Sequence, residues 1–199
     1  EIAAFCERRD PADALVGRPL DDLAIGATVA TGSVRRRAQL ARARPDLRFV
    51  ELRGNIDTRL SKIPEAGAIV MAVAALDILQ MTERVAQRLE VDTFVPAVGQ
   101  GCVAVECRSD DRVTREVLAA VDHAATRREV EVERAFLAQL GSGCSLPVGG
   151  HVHDGTLHVF LADADVGQSI VATVALHGDG SDLERARRAA LGAQEALRR

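Results

Sequence analysis

The 199 residues carry 25 Lys+Arg against 29 Asp+Glu, a formal net charge of −4, and 47% of them are hydrophobic. That length and composition suit one large or two small folded domains and exclude a disordered or low-complexity chain. The strongest apolar run, Ala66 to Leu76, falls well short of the ~20 residues of a spanning helix, and five Phe with no Trp or Tyr leave few stacking platforms for single-stranded nucleic acid, so neither a membrane nor a nucleic acid is expected as a partner. The N-terminus has no basic stretch followed by an apolar core, so no secretion signal is expected. A start at Glu1 rather than Met leads to the expectation of a missing upstream segment.

From residue 28 to about 76, short β-like runs alternate with helical ones. Ala27–Thr31 reads as a strand, Gly32-Ser33 as a turn, and Val34 to about Arg44 as a helix broken by Pro45-Asp46. Arg48–Leu52 is the next strand, and Gly54-Asn55 turns the chain into a short helix over Ile56–Lys62. Ala68–Val73 is continuously apolar, as in strands buried on both faces of a parallel sheet. This β-α-β-α-β succession predicts right-handed crossovers and a doubly wound α/β domain. Ligands of such sheets bind beyond the carboxyl ends of the strands.

A helical stretch is expected near Leu76–Leu89, followed by Phe94-Val95-Pro96, Val98-Gly99-Gln100-Gly101 and a strand over Cys102–Cys107. After the polar break Ser109-Asp110-Asp111, a helix ends near Val121. Thr126 with Glu129 reads as a capping box opening a helix to Leu140, with Val132, Phe136 and Leu140 on one face and Gly141-Ser142-Gly143 ending it. The tail reads as a strand meander with an Asp154-Gly155 hairpin turn and a final helix from about Ser181 to Arg198, making a small α+β unit from about residue 122 onward.

Ser33 has the chemistry of an N-cap, yet Arg35, Arg36 and Arg37 fill the turn after it. Cations there oppose the helix dipole by ~0.3–1 kcal/mol each, and a broken local rule points to a functional site. A bound anion, held by the free N–H groups and the guanidiniums together, is the simplest compensation; a solvated charged helix start is the alternative. The next βα loop adds Arg53 and, farther on, Arg59. Guanidinium forks suit carboxylates and phosphates.

Of the four cysteines, Cys6, Cys102, Cys107 and Cys144, no pair has C-x-x-C spacing, and reduced thiols are expected. Cys144 lies in the small-residue loop GSGCSLPVGG after a helix C-terminus, accessible but with nothing local to activate it. His151, His153 and His158 fall on one face of the expected hairpin; a solvated polar face is the ordinary reading, a metal site the rarer one.

The series TGSVRRRAQLARARPDL, LRGNIDTRLSK, PAVGQG, VECR and GCSLPVG, with CERRDPADALV near the start, closely resembles the porphobilinogen deaminase (hydroxymethylbilane synthase) family, in the family's order and over nearly the whole chain. The resemblance implies a transferase that joins four porphobilinogen molecules into hydroxymethylbilane with release of ammonia, on a dipyrromethane cofactor held by a thioether. It implies Cys144 as the covalent attachment point. It implies that Arg35, Arg36, Arg53 and Arg59 bind the acetate and propionate carboxylates of cofactor and substrate, and that Thr31 and Ser33 add donors. No metal is implied.

By the same resemblance, residues 1–98 form a periplasmic-binding-protein-like α/β domain with a hinge at 1–16. Residues 99–121 return to an N-terminal domain, and 122–199 form the α+β domain bearing the cofactor cysteine. The family's catalytic aspartate lies in an S-x-K-D-like segment that this sequence does not contain, so the chain alone is expected to be inactive. Where the family has G-T-S-S, this chain has Ala30-Thr31-Gly32-Ser33. The resemblance implies a cytoplasmic monomer, with porphobilinogen and the growing pyrrole chain as its partners. The alternatives are a non-enzymatic small-anion-binding module and a degenerate paralogue of the same fold.

Overall fold

The chain opens with two short strands, β1 (Ile2–Phe5) and β2 (Asp13–Val16). The expected succession follows: β3 (Thr28–Ala30), α1 (Val34–Ala43), β4 (Arg48–Val50), α2 (Ile56–Leu60) and β5 (Ala68–Ala72). In this computed structural model, which describes residues 1–141, 147–163 and 167–198, those strands form a five-stranded sheet of order β4-β3-β5-β2-β6, where β6 is Val85–Arg88. β3 runs parallel to β4 and β5, whereas β2 is antiparallel to β5 and β6. The sheet is therefore mixed, and β2, expected as part of a hinge, is an inner strand whose four residues are all buried. Leu15, Val29, Leu40 and Val70 fill one core of this unit, and Val16, Ala30, Ile69, Met71 and Leu76 another.

The helix expected over Leu76–Leu89 is not formed. α3 spans only Val73–Ile78, a 3₁₀ turn follows at Thr82–Arg84, and Val85–Arg88 is strand. Gln80, at φ 56°, breaks the helical path, and the open edge of β2 recruits β6, a tertiary demand that overrides weak local preference. The strand expected over Cys102–Cys107 is shorter, β7 (Ala104–Glu106), and pairs antiparallel with β1 in a separate two-stranded sheet. Asp111 caps α4 (Arg112–Leu118), its carboxylate accepting the Thr114 N–H at 3.0 Å.

The C-terminal unit has α5 (Ala124–Leu140), β8 (Val148–His153), β9 (Thr156–Asp163), β10 (Gln168–Ala175) and α6 (Asp182–Leu197), the strands forming the expected meander. Val132, Phe136 and Leu140 do line its core, against Leu157, Val159, Ala186 and Ala190. The capping box is not formed. His123 is the N-cap, its Nδ1 accepting the Thr126 N–H at 3.3 Å, while the buried Thr126 hydroxyl accepts the Arg8 N–H at 3.1 Å. Thr126 thus serves a contact with the N-terminal segment as well as the cap of its own helix, its Oγ1 lying 2.8 Å from His123 Nδ1. Gly141 ends α5 in the left-handed conformation, and the hairpin turn forms with Asp154 at φ 45° and Gly155 at φ 68°.

Candidate anion-binding site

Because β3 and β4 are parallel neighbours, their carboxyl ends open on one edge of the sheet, and the Thr31 N–H extends the ladder by donating to Val50 O at 2.9 Å. The two loops then approach so closely that a Cβ on Gly32 would lie 2.8 Å from Leu52 O, which admits only glycine. Ser33 caps α1 as expected, its Oγ accepting the Arg36 N–H at 3.4 Å, and no acidic residue enters the first turn. Asn55 caps α2, accepting the Thr58 N–H at 2.9 Å. Between the caps lies a cavity of about 320 Å³, walled by Thr31, Gly32, Ser33 and Arg36 on one loop and by Glu51, Arg53 and Arg59 on the other. Five of the six expected contact residues, Thr31, Ser33, Arg36, Arg53 and Arg59, line this pocket; Arg35 does not.

The adjacent arginines have different surroundings. Arg35 is 4% exposed; its Nη1 lies 2.7 Å from Asp13 Oδ2 and donates to Val95 O at 2.8 Å, and its Nη2 donates to Gln100 Oε1 at 3.2 Å. Arg36 turns toward the cavity but is held from behind, donating from Nε to Asp13 Oδ1 at 2.8 Å and from Nη1 to Val70 O at 3.1 Å. Burial alone would raise the Asp13 carboxyl; the guanidiniums of Arg35 and Arg36 outweigh it and hold the group below the usual carboxylate range. Burial likewise pushes the Arg35 guanidinium down, with Asp13 opposing.

Arg53 and Arg59 are less constrained. The Arg53 Nε lies 3.3 Å from Glu51 Oε2 at the surface, and the Arg59 Nε donates to Gly54 O at 2.8 Å. Among the described residues no carboxylate pairs with Arg59. The pocket thus presents three guanidiniums, the cap region of α1 and one carboxylate, a donor set for the oxygens of a small polyanion.

Cys144 lies outside the described residues. The three described cysteines are free and half-buried, and burial raises the Cys102 thiol. His151, His153 and His158 share a face as expected, with ring centroids 6.1 and 6.5 Å apart, but the described residues include no group of three placed to hold a metal ion. His151 is instead spoken for by Glu133, with Nδ1 3.0 Å from Oε1.

Sequence reading missed the residues that support the site. Gln100 donates from Nε2 to Asp13 Oδ1 at 3.0 Å and to Pro11 O at 2.6 Å, and its own carbonyl accepts from Arg8 Nε at 2.9 Å. Arg8 then forks onto the fully buried Glu133 at 2.6 and 3.2 Å, and Glu133 also accepts the N–H groups of Gly99 and Val152. A polar chain therefore runs from the arginine pair through residues 8–13 and 99–100 to α5 and β8. The available signals were an aspartate inside the apolar run Asp13–Val16, and a glutamate sharing a helix face with Phe136 and Leu140.

A family model described as "Porphobilinogen deaminase, dipyromethane cofactor binding domain" matches residues 1–116, and one described as "Porphobilinogen deaminase, C-terminal domain" matches residues 127–198. A porphobilinogen deaminase of Syntrophobacter fumaroxidans is 41% identical over 201 residues, covering 98% of this chain and 61% of that protein. One from a Roseiflexus species is 47% identical over 157 residues, and a probable porphobilinogen deaminase of Methanopyrus kandleri 47% over 156 residues, each covering 76% of this chain and 52% of the relative. The chain thus spans between 52% and 61% of the length of these curated relatives.

Proposed function

The chain belongs to the porphobilinogen deaminase family, and from that premise we propose that it is part of a transferase that joins four porphobilinogen molecules into hydroxymethylbilane with release of ammonia. The observation that carries the reading is the pocket at the ends of β3 and β4, where Arg36, Arg53 and Arg59 converge beside a capped helix start. Porphobilinogen and the growing pyrrole chain bear acetate and propionate groups, which bidentate guanidiniums recognise.

Arg36, Arg53 and Arg59 hold those carboxylates, Thr31 and Ser33 add donors, and Arg35 with Asp13 sets the position of Arg36. A dipyrromethane fits the same donor set, since its acidic side chains answer the same guanidiniums; when bound it supplies the terminal pyrrole to which substrate is joined. Cys144 is the residue that holds it, as a thioether. The proton handling at the pyrrole nitrogens belongs to a carboxylate outside these 199 residues. We assign residues 1–98 to a periplasmic-binding-protein-like α/β domain, in keeping with antiparallel β2 inserted beside parallel β5. Residues 99–121 form a return segment and 122–199 the cofactor-anchoring domain, in a cytoplasmic monomer.

Porphobilinogen titrated into the isolated chain by calorimetry, and its consumption assayed with and without the separately expressed N-terminal half of the Syntrophobacter relative, test the reading. We expect binding by the chain, lost in Arg36→Leu and Arg53→Leu and only partly regained with lysine, and turnover only in the mixture. Absence of binding, or robust turnover by the isolated chain, overturns it.

A further inference from the structure

One carboxylate stands where the pocket should take its ligand. Glu51 is the single acidic residue lining the cavity among the described residues. Its Oε2 lies 3.3 Å from Arg53 Nε and 3.6 Å from the point a Cβ on Gly32 would occupy, so the group leans over the turn that opens α1. It is not part of the support behind the arginines: its side chain is 68% exposed, and that of Arg53 87%. An exposed pair of this kind is weak and easily exchanged for another anion.

The charge balance gives this carboxylate a second consequence. Asp13 sits between Arg35 and Arg36, and Glu51 faces Arg53, while Arg59 has no carboxylate partner among the described residues. Four guanidiniums against two carboxylates leave two uncompensated positive charges with Glu51 in place. Without Glu51 the excess would be three.

We propose that Glu51 is a placeholder anion: it occupies Arg53 until a ligand carboxylate displaces it. This rests on the carboxylate-binding reading above, and names what limits it. The displaced Glu51 stays at the pocket rim and lowers the affinity of every anion that competes for Arg53.

The test compares the wild-type chain with Glu51→Gln, using glutarate, a propane tricarboxylate and porphobilinogen as calorimetric probes at fixed ionic strength. Arg53 modification by phenylglyoxal is followed by peptide mapping. Glu51→Gln should bind glutarate about two- to fivefold more tightly, the range of one exposed ion pair, and gain more for the tricarboxylate. Arg53 should be modified faster, with thermal stability unchanged. Glu184→Gln, a charge removal on α6, should change none of these. Unchanged or weaker binding of both glutarate and the tricarboxylate, or unchanged Arg53 reactivity, overturns the placeholder role. Tighter glutarate binding by a chain that ignores porphobilinogen supports the placeholder and overturns the substrate proposed above.

Discussion

Arg35 and Arg36 are consecutive on α1, so their side chains leave the helix about 100° apart, and this decides their fates: one is buried over Asp13, Val95 and Gln100, the other reaches a cavity wall. The arginines that oppose the helix dipole therefore already have one internal anion, Asp13, before any ligand arrives. Removing one member of a buried ion cluster leaves the others unpaired, at a cost of about 3–5 kcal/mol. Asp13→Asn should show a loss of that size in urea unfolding at neutral pH. Because the Asp13 carboxyl is held below its ordinary value, its stabilisation is present above about pH 4 and is lost as pH falls further, so the difference between wild type and Asp13→Asn should narrow in acid. A constant difference down to low pH would show that Asp13 is not acting as an anion. The pairing was not legible beforehand, since nothing in the linear order places residue 13 under residues 35 and 36.

At the scale of elements, the hairpin of β8 and β9 was legible to the residue: the Asp154-Gly155 turn fixes His151 opposite His158. What the hairpin does with its imidazoles depends on α5, because Glu133 takes His151 while the His158 Nδ1 is buried with no hydrogen-bond partner among the described residues. Burial pushes the His158 imidazole below its ordinary value, the Asp92 carboxylate opposing and His151 and His153 reinforcing. A base depressed in the folded state binds fewer protons folded than unfolded, so its stabilisation is complete above about pH 6.5 and falls as pH drops through that value. Thermal unfolding of wild type should therefore weaken between about pH 7.5 and about pH 5.5 more than that of His158→Asn; equal slopes would show that His158 titrates as an unburied group. By contrast, the misread stretch near Leu76–Leu89 carries no comparable turn signal. Its strand exists because β2 needs a second neighbour.

For the whole molecule, Glu133 is the point where the N-terminal segment, the Gly99-Gln100 loop and the C-terminal sheet meet, through Arg8, Gly99, Val152 and His151. Glu133→Gln keeps the shape but leaves Arg8 with only Glu129, 4.0 Å away, as a counter-charge. Calorimetry should then resolve two unfolding transitions where the wild type gives one, the α/β unit and the C-terminal unit no longer melting together; a single, merely shifted transition would mean that the coupling runs elsewhere. The residue order alone determined the strands β3, β4 and β5, the cap at Ser33, the apolar face of α5 and the family, because periodicity, capping and long ordered motifs are local properties of the chain. Tertiary structure decided which arginine is buried and which residues join the two units. Those outcomes depend on contacts such as Asp13 with Arg36 and Arg8 with Glu133, between residues far apart in sequence, and burial sets the energy of a charge only once the surrounding elements have closed around it.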